Sequence, residues 1–195
     1  MNGSVDGNLA YEMEPEEEII GGEVVMMASP TMNHIFIAGN IYRIFGDYLD
    51  GKKCAPIPDG ATLFLADGEE YKPDMMVVCD PDKLSKKGVY GAPDLVVEVL
   101  SPSTARADKG YKKKAYERCG VREYWIVDPL GLSVEQYALE DGEFVLRDVY
   151  THYLPADLED MTDEEKAAVV KEFKCGLFDD LTIRLKDIFY RVAIR

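Results

Sequence analysis

Residues 93–116 read PDLVVEVLSPSTARADKGYKKKAY. Leu95 to Leu100 is an apolar strand pattern ended by Pro102. Ser103 or Thr104 then starts a helix that the spacing carries to Cys119, with Gly120 as its stop. Glu123-Tyr124-Trp125-Ile126-Val127 follows as a continuous apolar run, the pattern of a strand buried on both faces. Strand, helix and strand in roughly 35 residues make a βαβ unit, and the fold class is therefore α/β (α+β) with a mixed central sheet.

Two acids interrupt this pattern. Side chains alternate along a strand, so Asp94, Val96, Glu98 and Leu100 share one face. Burying Glu98 in mid-strand without a partner would cost on the order of several kcal/mol. Asp94 stands about 13 Å away at strand rise, too far to share an ion with it, and reads as a strand-end or cap residue. Asp74 is the better candidate, because it opens a second apolar strand in YKPDMMVV (71–78). If the two strands pair, one carboxylate from each converges on a divalent cation. Mg²⁺ suits so sparse a site, since it takes one or two carboxylates plus waters and phosphate oxygens.

The helix supplies the positive charge. Ala105, Asp108, Lys112, Ala115-Tyr116 and Cys119 recur at steps of three and four, the stripe that faces the sheet. Lys112 is thus the lysine of its cluster placed toward the core and the natural counter-charge for Glu98, with Asp108 as its i,i+4 neighbour. On these residues alone, a purely structural buried ion pair is as good a reading as a catalytic one.

Outward from this unit, residues 11–28 read as a hairpin around Gly21-Gly22. Ser29-Pro30-Thr31 starts a helix over 31–49, marked by Ile35, Ala38, Ile41, Phe45 and Tyr48-Leu49. Strands are expected at 54–57, 61–66 and 75–79, and 80–92 reads as loop. Residues 132–139 and 143–150 pair around Asp141-Gly142, and an acidic segment and an amphipathic stretch from Leu181 to Val192 follow. At 195 residues one domain is expected, with a flexible N-terminus over 1–12.

Composition narrows the partners. A net charge of −15 argues against a general nucleic-acid binder, although 105–122 form a basic island in which Arg106, Lys109, Lys112, Lys113, Lys114, Arg118 and Arg122 stand against Asp108 and Glu117. No apolar run approaches the roughly 20 residues that cross a bilayer, and the acidic N-terminus is the reverse of a signal peptide. A cytoplasmic protein without a membrane partner is expected. Cys54, Cys79, Cys119 and Cys175 are widely scattered, so free thiols are expected rather than a disulfide framework or metal knuckle. Two histidines, His34 and His152, argue against a histidine-rich zinc site.

The segments YKPDMMVV and PDLVVEVLSPST…D…K…Y…GVREYWIVDP resemble the Uma-type family of restriction endonucleases, placed in the PD-(D/E)xK nuclease superfamily. The likeness runs from EIIGGEVVMM to the C-terminal DIF and is strongest over 71–129. It implies a restriction-endonuclease-like fold with flanking helices and an N-terminal hairpin. It also implies Asp74 and Glu98 as metal acids and Lys112 as the family lysine. Glu23 matches the early glutamate, His34 the helix histidine, and Asp94 and Asp108 further family positions. One feature departs from the superfamily pattern: in Glu98-Val99-Leu100 a leucine stands where D/E-x-K has its lysine, and the family pattern implies that the lysine has moved to the helix.

The chemistry so implied is Mg²⁺- or Mn²⁺-assisted hydrolysis of DNA. Asp74, Glu98 and the Val99 carbonyl would hold the ion, Glu23 would complete its shell, and Lys112 would orient water or stabilise charge. Ser103 and Thr104, at the helix start, would offer N–H groups to a phosphate. A homodimer would cut both strands. Two other readings stay open: a nuclease-fold binding or accessory protein with little catalysis, and a hydrolase of small phosphodiesters, which the acidity suits better than long DNA.

Overall fold

The computed structural model describes residues 17–20, 23–26, 29–65 and 68–192. Strands β1 (Glu17–Ile20) and β2 (Glu23–Met26) lead to helix α1 (Met32–Leu49), then to β3 (Ala55–Pro58), β4 (Thr62–Phe64), β5 (Glu70–Tyr71) and β6 (Met75–Val78). Strands β7 (Gly88–Tyr90) and β8 (Leu95–Val99) precede a helical run made of α2 (Ala105–Ala107), a π-helical turn (Asp108–Lys112) and α3 (Lys113–Cys119). Next come β9 (Glu123–Asp128), β10 (Ser133–Glu140), β11 (Glu143–Thr151), α4 (Pro155–Glu159) and α5 (Asp163–Ala168). Strands β12 (Glu172–Lys174) and β13 (Thr182–Arg184) and helix α6 (Leu185–Ile188) complete the described chain.

A six-stranded mixed sheet, ordered β11-β10-β9-β8-β6-β3, forms the centre, with β8 and β9 parallel as the βαβ pattern requires. Its middle strands are buried on both faces, and alternation divides them between two apolar layers. Met75, Val77, Leu95, Val97, Trp125 and Val127 pack with Ile37, Ile41 and Phe45 of α1. Met76, Val78, Val96, Tyr124 and Ile126 face Ala115 and Tyr116 of α3, together with Leu63, Tyr71 and Val89. Those last three belong to a second sheet, ordered β2-β1-β5-β4-β7. Helix α1 begins where Thr31 caps it, its hydroxyl accepting from His34 N at 3.3 Å.

Several expectations need correction. The stretch 80–92 is not all loop, because Gly88–Tyr90 pairs in parallel with β4. Its glycine hides the strand from propensity: a Cβ on Gly88 would lie 2.1 Å from Thr62 O, so only glycine lets the strands approach. The amphipathic stretch from Leu181 to Val192 contains β13 and α6, and β12, which pairs with β13, had no clear periodic signal. The expectation of four free thiols also fails. Cys54 and Cys79 form a disulfide, because the antiparallel register Ala55↔Val78 sets the next residues of β3 and β6 face to face. Cys119 and Cys175 are thiols. No helix among the described residues is long and apolar enough to cross a membrane. The expected flexible segment 1–12 and the Gly21-Gly22 turn lie outside the described residues; the strands flanking that turn pair in register, Ile20↔Glu23.

Candidate active site

Strand register builds the site. Strands β6 and β8 are antiparallel with Met75↔Val97 and Met76↔Val96, so one step further Asp74 stands opposite Glu98. Both side chains fall on the face shared by Met76 and Val96, toward α3. The Asp74 carboxylate is pinned at each oxygen. His34 Nε2 lies 2.7 Å from Oδ1, and Val99 N donates to Oδ2 at 2.6 Å. Burial alone would lower the His34 pKa, but its hydrogen bond to Asp74 and that residue's charge outweigh the penalty and raise it above 6.5.

Glu98 and Lys112 are 3% and 1% exposed. The Lys112 ammonium stands 3.3 Å from Glu98 Oε1, and Tyr116 donates its hydroxyl to the same oxygen at 2.7 Å. Two more carboxylates surround it, Glu18 Oε1 at 2.8 Å and Asp108 Oδ1 at 3.5 Å. Asp108 and Lys112 open and close the π turn over 108–112, both are buried, and Tyr124 donates to the Asp108 carbonyl at 3.0 Å.

Glu18, Asp74, Glu98 and Asp108 therefore share one lysine and one histidine. The charge surplus shows in the titration of the group. Burial drives the Glu98 pKa well above 4.5; Lys112 opposes this, and Asp108, Asp74 and Glu18 reinforce it. Burial would lower the Lys112 pKa, but Glu98, Glu18 and Asp108 outweigh it and push it up. Burial also raises Asp108. A buried anionic surplus of this kind favours a bound cation.

The remaining candidates lie as follows. Glu23 is exposed on β2, while Glu18 of β1 reaches Lys112. Asp94 ties three strands together: Oδ2 accepts from Cys79 N at 2.8 Å, Oδ1 faces Arg122 at 3.2 Å, and its carbonyl accepts from Glu123 N. The hydroxyls of Ser103 and Thr104 bond to Ser101 Oγ at 2.9 and 3.0 Å, and Thr104 N also donates to Ser101. Of the two amides expected to meet a phosphate, that of Thr104 is thus engaged within the turn.

Sequence reasoning did not single out Glu18. In EEEII (16–20) adjacent glutamates look alike, and only the inward alternation of Glu18 with Ile20 distinguishes it. Tyr116 lay in the core-facing stripe, but nothing in its spacing marked the hydroxyl's target.

Among the described residues, no group of three or more His, Cys, Asp or Glu forms a ready metal cage. The facing pair Asp74 and Glu98 suits the sparser demand of Mg²⁺ or Mn²⁺, which take much of their shell from water and substrate. Val99, whose amide already meets Asp74, brings backbone to the same place.

Over residues 8–166 the chain matches the family model Uma2, described as "Putative restriction endonuclease". Two relatives come from Synechocystis sp. (strain ATCC 27184 / PCC 6803 / Kazusa). "Uncharacterized protein slr1290" is 28% identical over 134 residues, 67% of this chain and 70% of its own. "Uncharacterized protein sll1609" is 29% identical over 126 residues, 63% of this chain and 71% of its own. A crystal structure described as "a putative nuclease belonging to DUF820" from Anabaena variabilis ATCC 29413 aligns with a TM-score of 0.67 at 18% identity. The alignment covers 91% of this chain and 92% of the other, and the two share a restriction-endonuclease-like fold.

Proposed function

The chain belongs to the Uma2 family, and from that membership and the geometry of the site we propose that it is a metal-dependent endonuclease hydrolysing phosphodiester bonds in DNA. The observation that carries this reading is the placement of Asp74 opposite Glu98 with the Lys112 ammonium 3.3 Å from Glu98. Asp74, Glu98 and the Val99 carbonyl would hold Mg²⁺ or Mn²⁺, which when bound polarises the scissile phosphate and lowers the pKa of water.

The protein's own groups do the rest. Lys112, kept charged by its carboxylates, acts as a fixed positive charge for the anionic transition state rather than as a base. His34 and Val99 N orient Asp74, and Tyr116 orients Glu98. The role of lysine in D/E-x-K is thus filled from the helix. A homodimer would let the two strands of a duplex be cut together.

The test is incubation of plasmid and single-stranded DNA with the purified protein in Mg²⁺, Mn²⁺ or EDTA. Cutting is expected only with metal and is lost in Glu98→Ala and Lys112→Ala; undiminished cutting in these variants contradicts the assignment. A second reading, hydrolysis of small phosphodiesters, is favoured by the net charge of −15, which opposes a long polyanion. Turnover of a bis-aryl phosphodiester or of nucleotides, without cutting of polymeric DNA, would establish it instead.

A further inference from the structure

Lys112 is held from outside the βαβ unit. Glu98 and Asp108 belong to β8 and to the helix that follows it, but Glu18 comes from the N-terminal hairpin, far away in sequence. It makes the shortest of the three contacts, 2.8 Å against 3.3 and 3.5 Å, and is 3% exposed. The same oxygen, Oε1, accepts from Lys72 N at 3.0 Å. Lys72 precedes Pro73-Asp74, so one carboxylate oxygen links the segment entering β6 to the ammonium on the helix.

We propose that Glu18 is a positioning residue for the hydrolysis, acting through Lys112. A lysine side chain has a flexible four-carbon stem, and its ammonium goes where acceptors hold it. Asp108 stands farther off, at 3.5 Å, and lies on the same helical run as Lys112. Glu98 is itself needed for the reaction. Glu18, anchored on a backbone amide, supplies the fixed point, and this makes the hairpin part of the site. The inference rests on the reading of Lys112 as the stabilising charge.

A displacement of about 1 Å at such a group costs on the order of 10²-fold in rate. Glu18→Ala should therefore lower kcat by about 10- to 100-fold with KM nearly unchanged, and Glu18→Gln, which keeps the oxygen, should retain part of the activity. Against the residual rate of Lys112→Ala, measured at high enzyme concentration, Glu18→Ala should cause no further loss; a further loss of the same size overturns the proposal. A second measurement needs no turnover. The ¹⁵N-labelled ammonium of Lys112, buried and ion-paired, should give a slowly exchanging NMR signal in the wild type, persisting in Glu18→Gln and lost or shifted in Glu18→Ala. An unchanged signal in Glu18→Ala overturns the proposal. Absence of wild-type cleavage, or full activity in Lys112→Ala, contradicts the nuclease reading instead, while the ammonium signal still decides whether Glu18 holds Lys112.

Discussion

The Tyr116 hydroxyl donates at 2.7 Å to Oε1 of Glu98, the same oxygen that faces the Lys112 ammonium. Tyr116 is fully buried between Tyr71 and Tyr124, with ring centroids 5.4 and 5.3 Å away, so the phenol is locked and the carboxylate with it. Tyr116→Phe keeps the packing and removes one donor from a buried acid. It should cost about 1–3 kcal/mol in urea unfolding. As a partner behind the proposed metal acid, it should also lower activity by roughly 10- to 100-fold in single-turnover cleavage.

Removing the Lys112 charge is more severe. Lys112→Met leaves Glu18, Glu98 and Asp108 buried without their shared cation. Breaking such a group should destabilise the metal-free protein by about 3–5 kcal/mol. Adding Glu98→Gln should recover part of that loss, because it removes one of the stranded charges; a double-mutant cycle by denaturant unfolding measures the coupling.

His34 makes stability depend on pH. Its pKa is raised in the fold: burial would lower it, and Asp74 more than compensates. Such a group contributes stability that is complete below its unfolded value of 6.5 and fades as pH rises through the folded pKa. His34→Gln should therefore destabilise more at about pH 5.5 than at about pH 9. Urea unfolding in EDTA at the two pH values checks this, and an equal loss at both would show that the imidazole's charge plays no part.

A bound cation should relieve the anionic surplus. Mg²⁺ at a hundredfold excess over its Kd would add about 2.7 kcal/mol to the unfolding free energy. Thermal unfolding with Mg²⁺ and with EDTA should show that increment in the wild type. Asp74→Asn and Glu98→Gln should each abolish it.

Much of this was legible because the decisive signals are local. The acid in mid-strand at Glu98, the run Met75–Val78 and the stripe carrying Lys112 follow from alternation and helical spacing within single elements. Pairing of β6 with β8 then converts separate signals into facing carboxylates. What escaped depends on register between distant elements or on departures from regular geometry. Glu18 gains its meaning only when β1 meets β5, Ile19↔Glu70, and its neighbour Glu17 has the same chemistry. The π turn over 108–112 interrupts the regular helix without any composition that announces it, apart from Gly110. The Cys54–Cys79 bond needed the β3–β6 register, and residues 25 apart offered no spacing rule.

The most direct measurement is an anomalous difference map from a crystal soaked in Mn²⁺. A peak between the carboxylates of Asp74 and Glu98, within coordinating reach of the Val99 carbonyl and absent from Glu98→Gln crystals, is the expected result. A map with no peak there, in crystals of wild-type protein that cut DNA with the same ion, would contradict it.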